Sequence, residues 1–447
     1  MRLFSVGIPA VFRWAGIDKA IFLSIVRQGW GALAGPITLF FIVTFLTLPE
    51  QGYYYTMFSL IGARMLFNAG LGQVLAQYIV HALSGKSVEA DLSKIYKISF
   101  VWYGLSSVAL FFGVAIIGYY IFSAKSDDVA WQVPLVLVSI GASIGLASTP
   151  LSSIATGFNR VKDVVAIGLI STVILTLVNW GSLALGWKLY SVGFSLLVGS
   201  VISLVLPFYM FRSELKRCRS GDSSTSQIHF LSDVLPLQSK VACSWASGYA
   251  LTQGLTPIVF AAMSPAIAGR FGFVLSVALL VTNLAMAWVS TKAPLYGNLV
   301  VSRDWLGLRT HFQKSCWQMM GFCLGAFVLL YLAFALISQL HLPFSDRILG
   351  MTDIAFVFIF YFSRLPAVAM NIFNCAFKKD WIYQVQAVNA AFVLLCAYVM
   401  LGVYDTSLRT TLLVLSASQY FFFLPIMIGV TYRGVRQYIA RSMDPTF

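Results

Sequence analysis

Gly52-Tyr-Tyr-Tyr-Thr-Met-Phe-Ser59 and Gly269-Arg-Phe-Gly-Phe-Val-Leu-Ser276 open two apolar stretches 217 residues apart. The same offset joins Gly31 to Gly248 and Lys162-Asp163 to Lys379-Asp380. Identities alone carry little weight in a chain this apolar. The ends of the apolar stretches and the short polar loops, however, keep step at the same shift. Residues 20–430 resolve into about twelve such stretches: 20–47, 53–79, 97–122, 131–157, 164–186 and 190–211, then 241–262, 268–291, 316–338, 352–375, 382–402 and 408–430. A bilayer core about 30 Å thick takes about 20 apolar residues per helix, and these stretches meet that length. Hydrophobic residues make up 59% of the chain and charged residues 10%, far from the roughly 25% charge of a soluble domain.

The fold class read from this pattern is an all-α polytopic membrane protein. It has about twelve transmembrane helices in two six-helix repeats around a central cavity. The halves are 1–211 and 241–447, joined by a linker at 212–240. The linker's core, Arg212 to Ser226, is polar and basic, and reads as an extended connection. Pro49-Glu50-Gln51-Gly52 and Ser264-Pro265 read as tight turns between paired spans. The opening residues, with Leu3, Phe4, Ile8, Val11, Phe12 and Trp14 among basic residues, read as a short amphipathic segment on the membrane surface. Arg2, Arg13, Asp18 and Lys19 within them argue against a cleavable signal peptide. Duplicated helical membrane proteins are typically transporters that rock two halves about a central site.

Charge placement sets the orientation. With the N-terminus inside, interior segments carry 23 of the 30 Lys and Arg residues, and exterior segments carry Lys125, Lys188, Arg270, Arg347 and Arg409. That bias places both termini in the cytoplasm. The net charge of +14 is then a topology signal with attraction to anionic headgroups. No basic domain exists to bind nucleic acid. The six cysteines show no metal-ligand spacing and read as packing residues, and no metal or other cofactor is called for.

Two arginines remain, Arg64 and Arg364, each near mid-depth of its span. Such a charge costs roughly 2.5–3.5 kcal/mol to insert and normally faces a bundle interior or a watery cavity. Arg27 is nearer the inner end, in line with Gly31 and Gly35 just before Pro36. Arg64 and Asn68 share a face at i, i+4, and Arg364 and Asn371 at i, i+7. Ser276, Asn283 and Ser290 form a polar line at seven-residue steps. All sixteen carboxylates fall in loops or at span ends, with Asp353 the nearest to a span interior, so no acid lies beside the deep arginines in sequence. An uncompensated cationic cavity suits an anionic headgroup, since the planar guanidinium matches phosphate oxygens. Arg27, Arg64 and Arg364 are therefore candidate diphosphate-binding residues. Gln28, Asn68, Asn283 and Asn371 are candidate sugar contacts, because amides both donate and accept. The plainer alternative is that the arginines bond to helix carbonyls, that the amides bond between helices, and that both only hold the bundle together.

Leu48-Pro-Glu-Gln-Gly-Tyr-Tyr-Tyr-Thr-Met-Phe58, running on through Asn68-Ala-Gly-Leu-Gly-Gln-Val-Leu-Ala76, resembles the span-two signature of polysaccharide exporters. Met263-Ser-Pro-Ala-Ile-Ala-Gly-Arg-Phe271 is its counterpart at the start of span eight. These exporters belong to the multidrug/oligosaccharidyl-lipid/polysaccharide (MOP) exporter superfamily, and the O-antigen (Wzx-type) flippases are the branch most similar. The resemblance implies a flippase that moves undecaprenyl-diphosphate-linked oligosaccharide from the cytoplasmic to the outer leaflet of a bacterial inner membrane. It also implies a cationic central cavity, supplied here by Arg27, Arg64 and Arg364. The implied partners are the lipid-linked oligosaccharide, membrane lipids, and a polysaccharide polymerase with its chain-length proteins. Relatives that couple to ions often use a carboxylate within the membrane, which this sequence does not display.

Other classes have less support. A multidrug or organic-cation antiporter of the same superfamily calls for acids in the cavity. A polysaccharide polymerase needs a larger exterior loop than the segment at about 339–351. An acyltransferase needs a base near a reacting group, whereas His81, His229, His311 and His341 lie in loops or at span ends. No phosphate-loop motif for ATP occurs.

Overall fold

The computed structural model describes residues 19–68, 70–84, 88–126, 128–220, 235–341, 345–377 and 379–442. Among them there are helices and turns and no strand. The expected amphipathic segment before residue 19 lies outside the described residues. The first half runs α1 (Lys19–Phe45), α2 (Leu48–Gly62), α3 (Arg64–Asn68), α4 (Leu71–Ser84), α5 (Val88–Ser123), α6 (Gln132–Ala147), α7 (Thr149–Gly157), α8 (Val161–Ala184), α9 (Tyr190–Met210) and α10 (Arg212–Ser220). The second runs α11 (Leu235–Gln253), α12 (Leu255–Ala262), α13 (Pro265–Ala285), α14 (Ala287–Ser290), α15 (Ala293–Val301), α16 (Trp305–Gln339), α17 (Met351–Ala376), α18 (Tyr383–Tyr398), α19 (Leu408–Ser418) and α20 (Leu424–Ser442).

The repeat persists in three dimensions. Leu48 and Pro265 start paired helices 217 residues apart, and so do Val88 and Trp305. The interruptions repeat as well. Pro36 bends α1 where Gly254 divides α11 from α12; Gly70 divides α3 from α4 where Met286 divides α13 from α14; Ser148 divides α6 from α7 where Pro366 lies within α17. These positions pair at 216 to 218 residues. Among the described residues, ten helical stretches are long and apolar enough to cross a membrane. The two other expected spans, 53–79 and 241–262, are the ones these breaks cut into short helices.

Exposure is inverted relative to a soluble protein. On α5 the exposed residues are Val101, Leu105, Val108, Phe112 and Ile116, while Tyr103, Leu110 and Val114 are buried. In water that apolar stripe would be a large exposed patch; in a bilayer it is the lipid-facing side.

The described chain packs into two units. One takes residues up to Thr47 together with Met57–Trp245, and the other takes Leu48–Thr56 with Ala246 onward. Helix α2 thus starts in the second unit and continues in the first. Its start packs closely on α13. A β-carbon on Gly52 would collide with the Pro265 carbonyl, and one on Gly269 would lie 2.7 Å from the Leu48 carbonyl oxygen. Since Pro265 stands 217 residues after Leu48, the two contacts are mirror partners under the repeat. Tyr53 stacks edge-on against Phe260 at 4.8 Å beside them. In a bilayer, where apolar burial does not drive helices together, such small-residue crossings supply the packing.

Two local expectations change. Pro49-Glu50-Gln51-Gly52 is the first turn of α2, not a loop, since proline suits the start of a helix; the chain turns at Leu46–Thr47 instead. Ser264-Pro265 caps α13, with Ser264 Oγ accepting from the Ile267 N–H at 3.3 Å. The basic linker also begins as a helix, α10. Phe211, Leu215 and Cys218 form its buried stripe. Arg160, at the foot of α8, reaches Glu214 Oε1 at 2.6 Å and also pairs with Asp163.

Candidate functional site

The broken second span positions the central arginine. Arg64 is the first residue of α3, after the turn at Ala63 where the Leu66 N–H bonds back to the Ala63 carbonyl at 2.9 Å. Its side chain is half-buried. The guanidinium fills the space above Gly145 of α6, beside Ser200 of α9: a β-carbon at 145 would lie 2.7 Å from Arg64 Nη1 and 3.0 Å from Ser200 Oγ. Among the described residues Arg64 has neither an ion pair nor a hydrogen-bond partner. Asn68, one turn on, accepts a 2.6 Å hydrogen bond from the Tyr103 hydroxyl of α5 through its Oδ1. Tyr103 is fully buried. Asn68 is thus held by Tyr103, a residue that sequence reasoning did not single out. Nothing local announces it, because Trp102-Tyr103 reads as an interfacial aromatic.

Arg27 is exposed on α1, with its guanidinium over Gly168 of α8. A β-carbon there would lie 2.9 Å from Arg27 Nη1. Arg27 and Arg64 therefore each sit over a glycine that makes room for the guanidinium. Gln28 is exposed beside Arg27. On the same two helices Trp180 stacks on Phe41 at 5.7 Å, approaches Trp30 at 6.0 Å, and donates through Nε1 to Thr38 Oγ1 at 2.9 Å.

Arg364 differs. In the middle of α17 it donates through Nη1 to the Leu251 carbonyl at 2.6 Å, and its guanidinium lies 5.6 Å from the centre of the Tyr361 ring. Leu251 stands one turn ahead of the break at Gly254, so its carbonyl serves the arginine where the helix is interrupted. One of the five donors of this guanidinium is committed; the others are available. Asn371, two turns on and half-buried, has its Oδ1 3.9 Å from Cys375 Sγ. In span eight Ser276 bonds the Gly272 carbonyl of its own helix at 2.7 Å, whereas Asn283 is exposed. Asn389, another amide in a span, is clasped to Gln419 by two hydrogen bonds of 2.9 and 2.7 Å; Gln419 begins one of two π-helical turns, the other being Val399–Val403. That amide serves helix packing.

The charge pattern around these groups is one-sided. The described ion pairs lie at span ends: Arg160 with Asp163 and Glu214, and Arg409 with Asp353. Arg270, in the second turn of α13, donates to the Asp346 carbonyl at 2.9 Å. On α10, burial would raise the Glu214 carboxyl, but hydrogen bonds from Ser213 and the backbone and the Arg160 charge hold it below the ordinary range. The buried carboxylate nearest a span is Glu50, in the first turn of α2. Among the described residues no three His, Cys, Asp or Glu side chains gather as a metal site requires.

No protein-family profile and no curated protein sequence matches the chain. Solved structures do. One is an inward-facing multidrug resistance MATE family transporter of the MOP superfamily, with TM-score 0.67, 13% identity, and coverage of 96% of this chain and 100% of that one. Another is the lipid II flippase MurJ in an inward closed conformation, with TM-score 0.67, 14% identity, and coverage of 92% and 87%. A third is a MOP superfamily transporter from Pyrococcus furiosus, described as having a binding pocket of reverse polarity suggesting a different function, with TM-score 0.53, 13% identity, and coverage of 97% and 99%. At 13–14% identity the likeness is one of architecture: the chain has the fold of the MOP superfamily transporters.

Proposed function

We propose that the chain is a flippase for undecaprenyl-diphosphate-linked oligosaccharide, an O-antigen or other surface-polysaccharide repeat unit. It moves the headgroup from the inner to the outer leaflet of a bacterial inner membrane by alternating access, with both termini in the cytoplasm. The observation that carries this reading is Arg64. A guanidinium half-buried in a broken span, with no acid and no hydrogen-bond acceptor supplied by the described protein, needs a partner from elsewhere. A diphosphate supplies acceptor oxygens and opposite charge. Broken spans are also where transporters of this general kind place substrate groups. Arg364, with one donor on Leu251 and the rest available, gives the second unit a similar group. Arg27 is a third candidate for the diphosphate, Gln28, Asn68, Asn283 and Asn371 are candidates for sugar contacts, and the polymerase and chain-length proteins take up the product outside.

Energy is available without ATP. Each negative charge moved outward gains about 2.3 kcal/mol per 100 mV when the inside is negative. Full transit of a diphosphate carrying two charges gains roughly 4–5 kcal/mol by that arithmetic. The test is depletion of the protein in its native cell, followed by chemical identification of lipids on the inner leaflet. Build-up of a diphosphate-linked glycan supports the flippase. Unchanged lipids with altered dye efflux would overturn it.

A second reading, a cation-coupled multidrug antiporter, is favoured by one feature: Glu50 is a buried carboxylate on the broken second span. Glu50→Gln should abolish dye efflux if that reading holds, and leave glycan export intact if the first does.

A further inference from the structure

The second span is interrupted just after Asn68. Gly70 is left-handed, with φ +69°, and α4 restarts at Leu71. Gly72, close to that restart, packs against the Tyr103 phenol, whose hydroxyl donates to Asn68 Oδ1 at 2.6 Å. A residue larger than glycine at 72 would crowd this pair, because its β-carbon would lie 2.9 Å from Ser153 Oγ and 3.3 Å from Tyr103 Oη.

We propose that Tyr103 is a specificity-determining positioning residue: by holding the Asn68 carbonyl oxygen, it leaves Asn68 Nδ2 and the Arg64 guanidinium as a donor-only pair that selects a phosphate-type anion over a cation. The phenol has one proton to give, and Asn68 Oδ1 takes it. The amide cannot turn its oxygen toward a ligand without stranding a buried hydroxyl. Arg64 has donors and no acceptor, and Asn68 Nδ2 donates to no described residue. Phosphate oxygens, all acceptors, satisfy that set. An ammonium, all donors, meets donors. This proposal rests on the reading of Arg64 as an anion holder.

The experiment measures binding to the purified full chain in lipid nanodiscs, with farnesyl diphosphate, inorganic pyrophosphate and tetraphenylphosphonium as probes. Wild type should bind a diphosphate and not the cation. Tyr103→Phe should weaken diphosphate binding about fivefold, the worth of one hydrogen bond, and Asn68→Asp by more than tenfold while admitting tetraphenylphosphonium. In an Asn68→Leu background Tyr103→Phe should change nothing further, because its effect runs through the amide; a merely structural tyrosine would weaken binding there too. Tighter binding of farnesyl diphosphate than of pyrophosphate marks a lipid-borne group and equal binding a free anion, and either supports the donor pair. If Arg64→Ala abolishes binding but Tyr103→Phe and Asn68→Asp bind as wild type, the selector is wrong and the anion reading stands. If wild type binds neither diphosphate, or Arg64→Ala binds as wild type, both fall together.

Discussion

Arg64 and Arg364 look alike in the sequence and are held differently in the structure, and the difference is measurable. Arg364 satisfies the Leu251 carbonyl beside a helix break, whereas Arg64 has no described protein partner. Arg364→Ala should therefore cost about 1–2 kcal/mol, the scale of interhelical hydrogen bonds in a membrane. Arg64→Ala should leave the unfolding midpoint in detergent unchanged or raise it. Equal losses would show that Arg64 is a structural residue. Gly145 makes a second prediction. A methyl there meets the far end of a flexible side chain, so Gly145→Ala should fold normally yet displace the guanidinium and lower export by about fivefold, the worth of a hydrogen bond. The sequence made the deep arginines visible because charge is costly at that depth. It did not reveal Tyr103 or Gly145, because both meet Arg64 and Asn68 only through packing of helices far apart in the chain.

At the scale of elements, the repeat explains why some glycines recur and others merely coincide. Gly52 and Gly269 lie at a backbone-to-backbone crossing where a β-carbon has no room, whereas nothing lies within 4 Å of a β-carbon at Gly31 or Gly248. Gly52→Ala and Gly269→Ala should each destabilise by about 1–3 kcal/mol or more, as overpacking does. Gly31→Ala and Gly248→Ala should be neutral or stabilise by up to about 1 kcal/mol through helix propensity. Thermal unfolding of the four variants checks the contrast. The spans themselves were legible from hydropathy, but their ends were not. Helices α5 and α16 begin at Val88 and Trp305, well ahead of the apolar stretches at 97 and 316, because their first turns carry Asp91, Lys94 and Lys97 or Arg309, His311 and Lys314. Those charges read as loop, yet they stand on the opening turns of helices. The linker misled in the same way, since its charges conceal the buried stripe of α10. Glu214 is held below its ordinary value of about 4.5, so its contribution is present above that pH and is lost as pH falls through its lowered folded value. Glu214→Gln at neutral pH should mimic that loss and speed hydrogen exchange across Arg212–Ser220, leaving the α8 amides unchanged.

At the scale of the whole molecule, duplication was the most legible property, because a repeat places its signal across the entire chain rather than in any one motif. The paired interruptions strengthen it, and only the structure displays them, since a break at Gly254 and a proline at Pro36 share no residue type. The assignment of Leu48–Thr56 to the second unit was not legible, because nothing in a helix's own sequence says which neighbours its first turns will meet. Besides the ten long apolar stretches of the described residues, two expected spans are cut into separate helices, and both deep arginines lie at such breaks. Arg64 borders one and Arg364 bonds across to another. The direct test is leaflet transfer of a fluorescent polyprenyl-diphosphate-linked sugar in proteoliposomes made from purified wild type, Arg64→Ala and Arg364→Ala. Wild type should move the probe and both variants should fall by about tenfold or more, as loss of a charge-assisted contact of about 1.5–3 kcal/mol requires. Transfer at the wild-type rate in both variants would contradict the claim that these arginines receive the anionic headgroup.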